Sequence, residues 1–507
     1  TFFVLRGVTQ SSWRLRSMEV MTMGGDSGRA SVNLSVDPSS ERARKERPES
    51  ETPFRILLIG DFSGRRNRDS ERNLLAGIRP VEVNVETIDD LPGKLGAGLR
   101  FRHLDLSFRT LEDLHPDSLQ RFVPEDFVAE AMEADSAAAA SDPQPVQPAE
   151  AERPPLPESG DLLSAILGGG ELPPPPPRKK DSLRAAIDEL VAPHLVKQPD
   201  PRAVAKASAR ARAVASGVKG VLEHPDFREL EANFLSVFRL MRRLSTGVEL
   251  QVHLLDATKA EVARDLASGG REMLRLLREE TVGTPGAPPW AVVATMWALD
   301  ASEPDLDLIY GLAQAAAAGG APLLADGPLL LAGCNNLSVA DPREWTGELP
   351  REVQLAWAAL RESPLGAWIG MPAPRVLMRS PYGHGGLSSD VEGLREAGDR
   401  FDPDDYVWGS GAAFCAGLLG EAFEREGWEF HPESVLGADG MPVHVQGRGV
   451  DAVAAPSTEG WINERAAEHL LDCGLMPLVT VRNRDVVRLV RWQSIAHPAK
   501  RLRGRWE

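Results

Sequence analysis

From residue 248 onward, strand-like and helix-like runs take turns along the chain, and this alternation restricts the fold more than any other feature. Residues 248–255 read as a strand and 259–266 as a helix; 290–299 read as a strand and 306–318 as a helix. Further on come 375–378 (strand), 406–426 (helix), 443–446 (strand) and 459–472 (helix). A hairpin of 475–482 with 486–492 turns around Asn483-Arg484. Such alternation predicts an α/β layered domain in which helices cover a mixed sheet. Three consecutive helices are expected ahead of it, at 181–196, 201–222 and 226–244. Far upstream, residues 54–59 (Phe-Arg-Ile-Leu-Leu-Ile) form a short apolar run closed by Gly60-Asp61, the pattern of a buried strand entering a turn. Residues 81–85 and 101–108 alternate apolar and polar with the period of half-buried strands, and 111–122 read as helical with an interruption at Pro116. The front block is therefore a small α+β unit, and the fold class is α/β with mixed α+β character.

At 507 residues the chain exceeds what one core usually serves, so two or more domains are expected. Residues 1–50 are polar and rich in Arg and Ser, a composition that predicts disorder. The first residue is Thr1, and Met18, Met21 and Met23 are the candidates for the translation start. Residues 129–180 change to Ala, Glu, Pro and Ser and predict a linker, stiffened by the proline run 173–177. Within it, residues 161–168 place Leu162, Leu163, Ile166 and Leu167 on one helical face. A helix this short is marginal alone and must dock on something.

Chemistry is harder to find. The net charge of −17 argues against polyanion binding, and the basic run 500–505 is the local exception. Three widely spaced cysteines make neither a disulfide framework nor a metal cluster and fit a reducing cytoplasm. No window approaches the roughly 18 apolar residues of a membrane span, and the richest stretch, 321–334, is broken by Asp326. Gly60-Asp-Phe-Ser-Gly-Arg65 follows a strand but lacks the Lys and Ser or Thr of a phosphate loop. Gly383-His-Gly-Gly386 suggests an oxyanion loop, yet the chain has no G-x-S-x-G nucleophile elbow. The histidines never take zinc-helix spacing, and the acidic cluster 300–307 lacks the glycine and distant glutamate of a calcium loop. No catalytic, cofactor or metal residue is assigned.

The segment Phe54-Arg-Ile-Leu-Leu-Ile-Gly-Asp-Phe-Ser-Gly-Arg65, with Leu106-Ser-Phe-Arg-Thr-Leu-Glu-Asp-Leu-His-Pro-Asp117, resembles the small subunit of the type VI secretion contractile sheath. Trp357-Ala-Ala-Leu-Arg-Glu-Ser363, Pro374-Arg-Val-Leu-Met-Arg-Ser-Pro-Tyr-Gly383 and Tyr406-Val-Trp-Gly409 resemble the large subunit of the same sheath. His224-Pro-Asp-Phe-Arg-Glu-Leu-Glu231 is similar to the large subunit as well, although Phe234-Leu-Ser-Val237 replaces the family's Trp-Arg-Gly-Leu. The resemblance implies a sheath small-subunit-like domain over 51–128 and a large-subunit-like domain over 181–507 without the family's inner-wall region. It implies no enzyme but a cytoplasmic structural protein. Its partners would be sheath subunits or copies of itself, inner tube or baseplate proteins, and an AAA+ recycling ATPase, with neither nucleic acid nor membrane.

Asp61, Phe62, Arg65, Trp357, Arg361, Arg375, Arg379, Tyr382 and Trp408 are the interface or structural candidates. Arg361, Arg375 and Arg379 either pair with carboxylates across a seam or form salt bridges around an ordinary core, since the planar guanidinium suits bidentate pairing. The resemblance places Leu162, Leu163, Ile166 and Leu167 where the recycling ATPase grips the sheath; packing on the helix's own domain is the alternative. Without the family's inner-wall strands, polymerisation by added sheet edges is in doubt. The leading expectation is a fused sheath component. The alternative is an accessory or adaptor that caps the sheath or baseplate or binds the ATPase.

Overall fold

The structure, a computed structural model, describes residues 47–101, 104–141, 200–447 and 452–507. The helices expected at 161–168 and 181–196, the proline run 173–177 and most of the first fifty residues lie outside the described residues. The front strands are β1 (Phe54–Gly60), β2 (Val81–Val83), β3 (Gly98–Phe101) and β4 (Leu104–Ser107). Then come β5 (Leu250–Asp256), β6 (Val292–Thr295), β7 (Leu323–Leu324), β8 (Ile369–Gly370), β9 (Pro372–Ala373), β10 (Val376–Arg379) and β11 (Val407–Gly409). The last are β12 (Gly437–Ala438), β13 (Val445–Gln446), β14 (Val453–Ala454), β15 (Met476–Thr480) and β16 (Val487–Leu489).

The main sheet has the order β2-β5-β1-β6-β7-β8. All neighbours pair in parallel except β2, which runs antiparallel along β5 at one edge. Thus β1, from the front of the chain, sits between two strands contributed by its rear. Its near-continuous apolar sequence follows from that place, because a central parallel strand is covered on both faces. Leu57 and Ile59 enter a core with Val262, Leu306, Ile309, Leu312, Trp357 and Leu360, from the Lys259–Ala267, Glu303–Ala318 and Arg351–Glu362 helices. Ile56, out of phase with them, meets the Gly411–Glu426 helix at Gly420. That helix lies against Pro225–Arg243, where a Cβ on Gly417 would stand 2.8 Å from Leu240 and one on Gly420 3.0 Å from Leu244. The two glycines let the helices approach. The result is a sheet between two helical layers, an α/β fold carrying mixed sheets.

At the start of β1, Phe54 stacks on Phe423 at 4.8 Å between ring centroids and also contacts Trp428 and Phe430. A second, four-stranded sheet has the order β12-β16-β15-β9. Its β15–β16 hairpin turns through Asn483 with positive φ, at the predicted place.

Several expectations need correction. Residues 406–409 are not helical: β11 pairs antiparallel with β10, as its Val-Trp-Gly sequence favours, and Ser410 then caps the helix by accepting from the Ala413 N–H at 3.1 Å. The linker expected from 129 gives way to a helix over Glu125–Ser141, since alanine and glutamate favour helix even without large apolar residues. The last long helix begins at Glu464 under the Asn463 cap, not at 459. The Arg351–Glu362 helix, passed over in the sequence, buries Val353, Ala356, Trp357 and Leu360 at helical spacing.

One compact unit joins the described residues up to Val123 with Ala215–Glu507; Pro124–Val214 form a second. Within the second, Arg210 pairs with both oxygens of Glu125, at 2.6 and 2.9 Å.

Candidate functional site

The turn after β1 is built by carboxylates. Asp256, the last residue of β5, accepts the backbone N–H groups of Phe62 and Ser63 at 3.0 and 3.1 Å. Asp61 accepts those of Arg65 and Arg66 at 3.0 and 2.9 Å. The N–H groups that a phosphate would need are thereby occupied, which makes this a structural turn. Arg65 forms a close ion pair with Asp256 and bonds both oxygens of Glu261, at 3.1 and 2.9 Å. Burial alone would raise the Glu261 carboxyl; the Arg65 guanidinium and the N–H groups of Arg72 and Thr258 hold it below its ordinary value. Glu261 also completes a capping box with Thr258 at the next helix. Phe62 is fully buried and lies 6.2 Å from Phe234.

A second node forms around Arg379. Its guanidinium bonds both oxygens of Glu231 (2.6 and 3.0 Å) and both of Glu396 (2.6 and 2.9 Å), and all three side chains are buried. Glu396 accepts the Tyr382 N–H at 2.6 Å, and the Tyr382 ring lies 4.5 Å from the guanidinium. Burial raises the Glu231 carboxyl despite this partner, whereas the two carboxylates outweigh burial and raise Arg379.

The other candidates are placed singly or in pairs. Arg375 bonds Glu459 through its backbone N–H at 2.9 Å and its side chain at 2.8 and 2.5 Å. Arg361 donates to the carbonyls of Ile495 and Asp472, at 2.9 and 2.8 Å, and lies 5.8 Å from the Trp357 ring. Trp408 stacks on Tyr406 at 5.5 Å and donates to the Pro403 carbonyl at 2.7 Å. Leu162, Leu163, Ile166 and Leu167 lie outside the described residues. Sequence reading missed the carboxylates that complete these nodes: Asp256, Glu261, Glu231, Glu396 and Glu459. It also missed Asp326, although a lone carboxylate interrupting an apolar run was the available signal.

The two edges of the main sheet differ. At β8, Ile369 and its neighbour Ala367 are covered, their carbonyls accepting the N–H groups of Ile495 and Arg503 at 3.0 and 2.8 Å. At β2, no described strand pairs on the outer side, and Val81 and Val85 expose 38% and 55% of their surface. An open edge beside exposed apolar side chains is a surface for adding another chain. Among the described residues no helix is long and apolar enough to cross a membrane, and no group of three or more His, Cys, Asp or Glu could hold a metal.

Residues 209–496, which carry β5 to β16 and most of both helical layers, match the VipB family (EvpB/VC_A0108, tail sheath N-terminal domain). The chain belongs to this tail sheath family. It is similar to the type VI secretion system sheath protein TssC1 of Pseudomonas aeruginosa, with 27% identity over 293 residues. That alignment covers 55% of this chain and 58% of the relative, so the chain spans less than two thirds of its sheath-family relative's length. The family match includes Trp357, Arg361, Arg375, Arg379, Tyr382 and Trp408 and leaves Asp61, Phe62 and Arg65 outside.

Proposed function

We propose that this protein is a non-enzymatic structural subunit of a type VI secretion contractile sheath. In this reading a small-subunit-like front and a large-subunit-like rear are fused in one polypeptide that works by protein–protein assembly. One observation carries the reading: β1, from the segment that resembles the small subunit, is paired in register from Phe54↔Leu250 to Gly60↔Asp256 inside the sheet of the tail sheath domain. A part that a separate subunit would dock is here an interior strand. The buried Arg65 node, which ties the front segment to Asp256 and Glu261, is then the mortar of that join, and the β2 edge is the surface left for neighbours. Its partners are sheath subunits or further copies of itself, with the inner tube or baseplate alongside, in the cytoplasm.

The test is co-expression with a small–large sheath pair, followed by co-purification and electron microscopy. Incorporation into tubules is the expected result. Failure to co-purify with any sheath, tube or baseplate protein, with no polymer formed alone, would overturn the proposal. A second reading, an accessory or adaptor that caps the sheath or baseplate or is gripped by the AAA+ recycling ATPase, draws on the apolar spacing of Leu162, Leu163, Ile166 and Leu167. Deleting 161–168 separates the two, because an adaptor loses its ATPase whereas a wall subunit still incorporates.

A further inference from the structure

Beyond the carboxyl ends of β6 and β7 and beside the Pro225–Arg243 helix lies a cavity of about 340 Å³, on the scale of small-ligand sites. Crevices outside the carboxyl ends of parallel strands are where α/β sheets hold ligands, especially where successive connections leave in opposite directions. Here β1 connects through the antiparallel edge strand to β5 on one side, and β5 then crosses to β6 on the other.

The groups lining this cavity are unequally engaged. Both of its guanidiniums are committed elsewhere: Arg375 to the Glu459 carboxylate, Arg228 to the carbonyls of Leu222 and Asp404. The acceptors are not. Asp326 is 7% exposed, and its Oδ1 accepts from the Ser410 hydroxyl at 3.0 Å and the Ala412 N–H at 2.8 Å. Its Oδ2 makes no hydrogen bond among the described residues. Glu229 uses Oε2 on Arg66 at 2.6 Å, and its Oε1 has no hydrogen-bond partner among the described residues. Asn233, 3% exposed, donates to the Asp61 carbonyl at 3.4 Å, and its own carbonyl oxygen likewise has none among them. Tyr406 and Trp408 add aromatic wall, whose ring faces favour cations. The open oxygen of Asp326 is not sealed in the core but faces the cavity, where a donor can reach it.

We propose that this cavity binds a guanidinium or alkylammonium group on a short aliphatic stem, with Asp326 as its charge partner and the carbonyl of Asn233 as a second acceptor. Burial pushes the Asp326 carboxyl up to about 7, against the pull of Ala412, Arg375 and Ser410 and with Glu459 adding to the rise. Of the other charged groups on the walls, Glu229 is pushed up by burial, and Glu223, Asp404 and Arg228 complete the set. A bound cation prefers the ionised carboxylate, so affinity should rise roughly tenfold between about pH 6 and about pH 8.

The probes are agmatine, for a free small cation, and a capped Gly-Arg-Gly peptide, for an arginine side chain of a docking protein. Both are titrated calorimetrically into the full chain. Saturable binding of agmatine, lost in Asp326→Asn and stronger at the higher pH, is the expected result. The asparagine keeps the acceptor for Ser410 and Ala412, and its melting curve confirms that it folds. Glu433→Gln, away from the cavity, should bind as the parent does. Binding of the peptide as well assigns the site to a partner's side chain, and binding of agmatine alone assigns it to a free cation. If neither saturates, or if Asp326→Asn binds unchanged, the proposal is overturned.

Discussion

Arg379→Met tests the central claim that the buried arginine nodes hold this fold together. The guanidinium makes four charge-assisted bonds of 2.6 to 3.0 Å to Glu231 and Glu396, whose side chains are 3% and 1% exposed. Methionine fills much of the volume but leaves two carboxylates without the guanidinium that bonds them. Removing one partner of a buried pair costs about 3–5 kcal/mol, because the remaining charge is stranded. Burial already holds the folded Glu231 carboxyl above its ordinary value, and losing the guanidinium removes the main pull against that rise. The folded state of the variant therefore binds more protons than the unfolded state, and its stability falls further than the parent's as pH increases. The slope for this carboxylate approaches about 1.4 kcal/mol per pH unit. The deficit relative to the parent should therefore be small near pH 5 and reach several kcal/mol near pH 8. Urea unfolding followed by tryptophan fluorescence at both pH values measures it, and adding Glu231→Gln should recover part of the loss at the higher pH. A deficit below about 1 kcal/mol that does not change with pH would refute the reasoning, since it would mean that water reaches the node.

Other changes probe other joins. Trp357→Ala, at a residue 6% exposed in the helix-covered core, should cost about 3–5 kcal/mol in the same unfolding assay. Gly420→Leu inserts a side chain where a Cβ already stands 3.0 Å from Leu244, and should cost about 1–3 kcal/mol or abolish soluble expression. Asp326→Asn should stabilise the cation-free protein above neutral pH. With the folded value near 7 and the unfolded near 3.9, the folded carboxyl binds more protons between the two, so parental stability falls by up to about 4 kcal/mol as pH rises through that window and the variant's does not. Val81→Lys on the exposed edge should leave the melting temperature within about a degree while blocking co-assembly with sheath subunits, because it charges the open strand without touching the core.

The elements legible in the sequence are those whose burial pattern repeats locally. β1 and β5 are apolar runs bounded by turn residues, and the Pro225–Arg243 and Glu303–Ala318 helices carry three- and four-residue spacing. β11 was hidden because it is three residues long and abuts a helix whose apolar content continues its own. The Arg351–Glu362 helix was hidden behind its tryptophan and arginine, which drew attention as contacts rather than as one face of a helix. For the site, the arginines were found and their partners were not. Arg379 and Glu231 stand 148 residues apart, and nothing local marks which of many carboxylates in an acidic chain will meet a given guanidinium. Only Asp326 carries a local signal, the break in an apolar run, and that signal by itself assigns it no role.

The pairing of β1 also decides where control over assembly can act. A strand hydrogen-bonded on both sides and covered by helices on both faces cannot be withdrawn without opening the core, so the front segment is not a detachable latch. Whatever a neighbour grips must lie outside that core. On this molecule the β8 edge is already covered by the 495–503 segment, whereas β2, brought to the opposite edge by the same front segment, has no strand on its outer side among the described residues. One stretch of chain thus closes the interior with β1 and presents the exterior with β2. A lesion in β1 should remove the folded unit and its assembly together, whereas a lesion in β2 should remove assembly alone. Finding folded, assembly-competent protein after a β1 lesion such as Leu57→Pro would break that link.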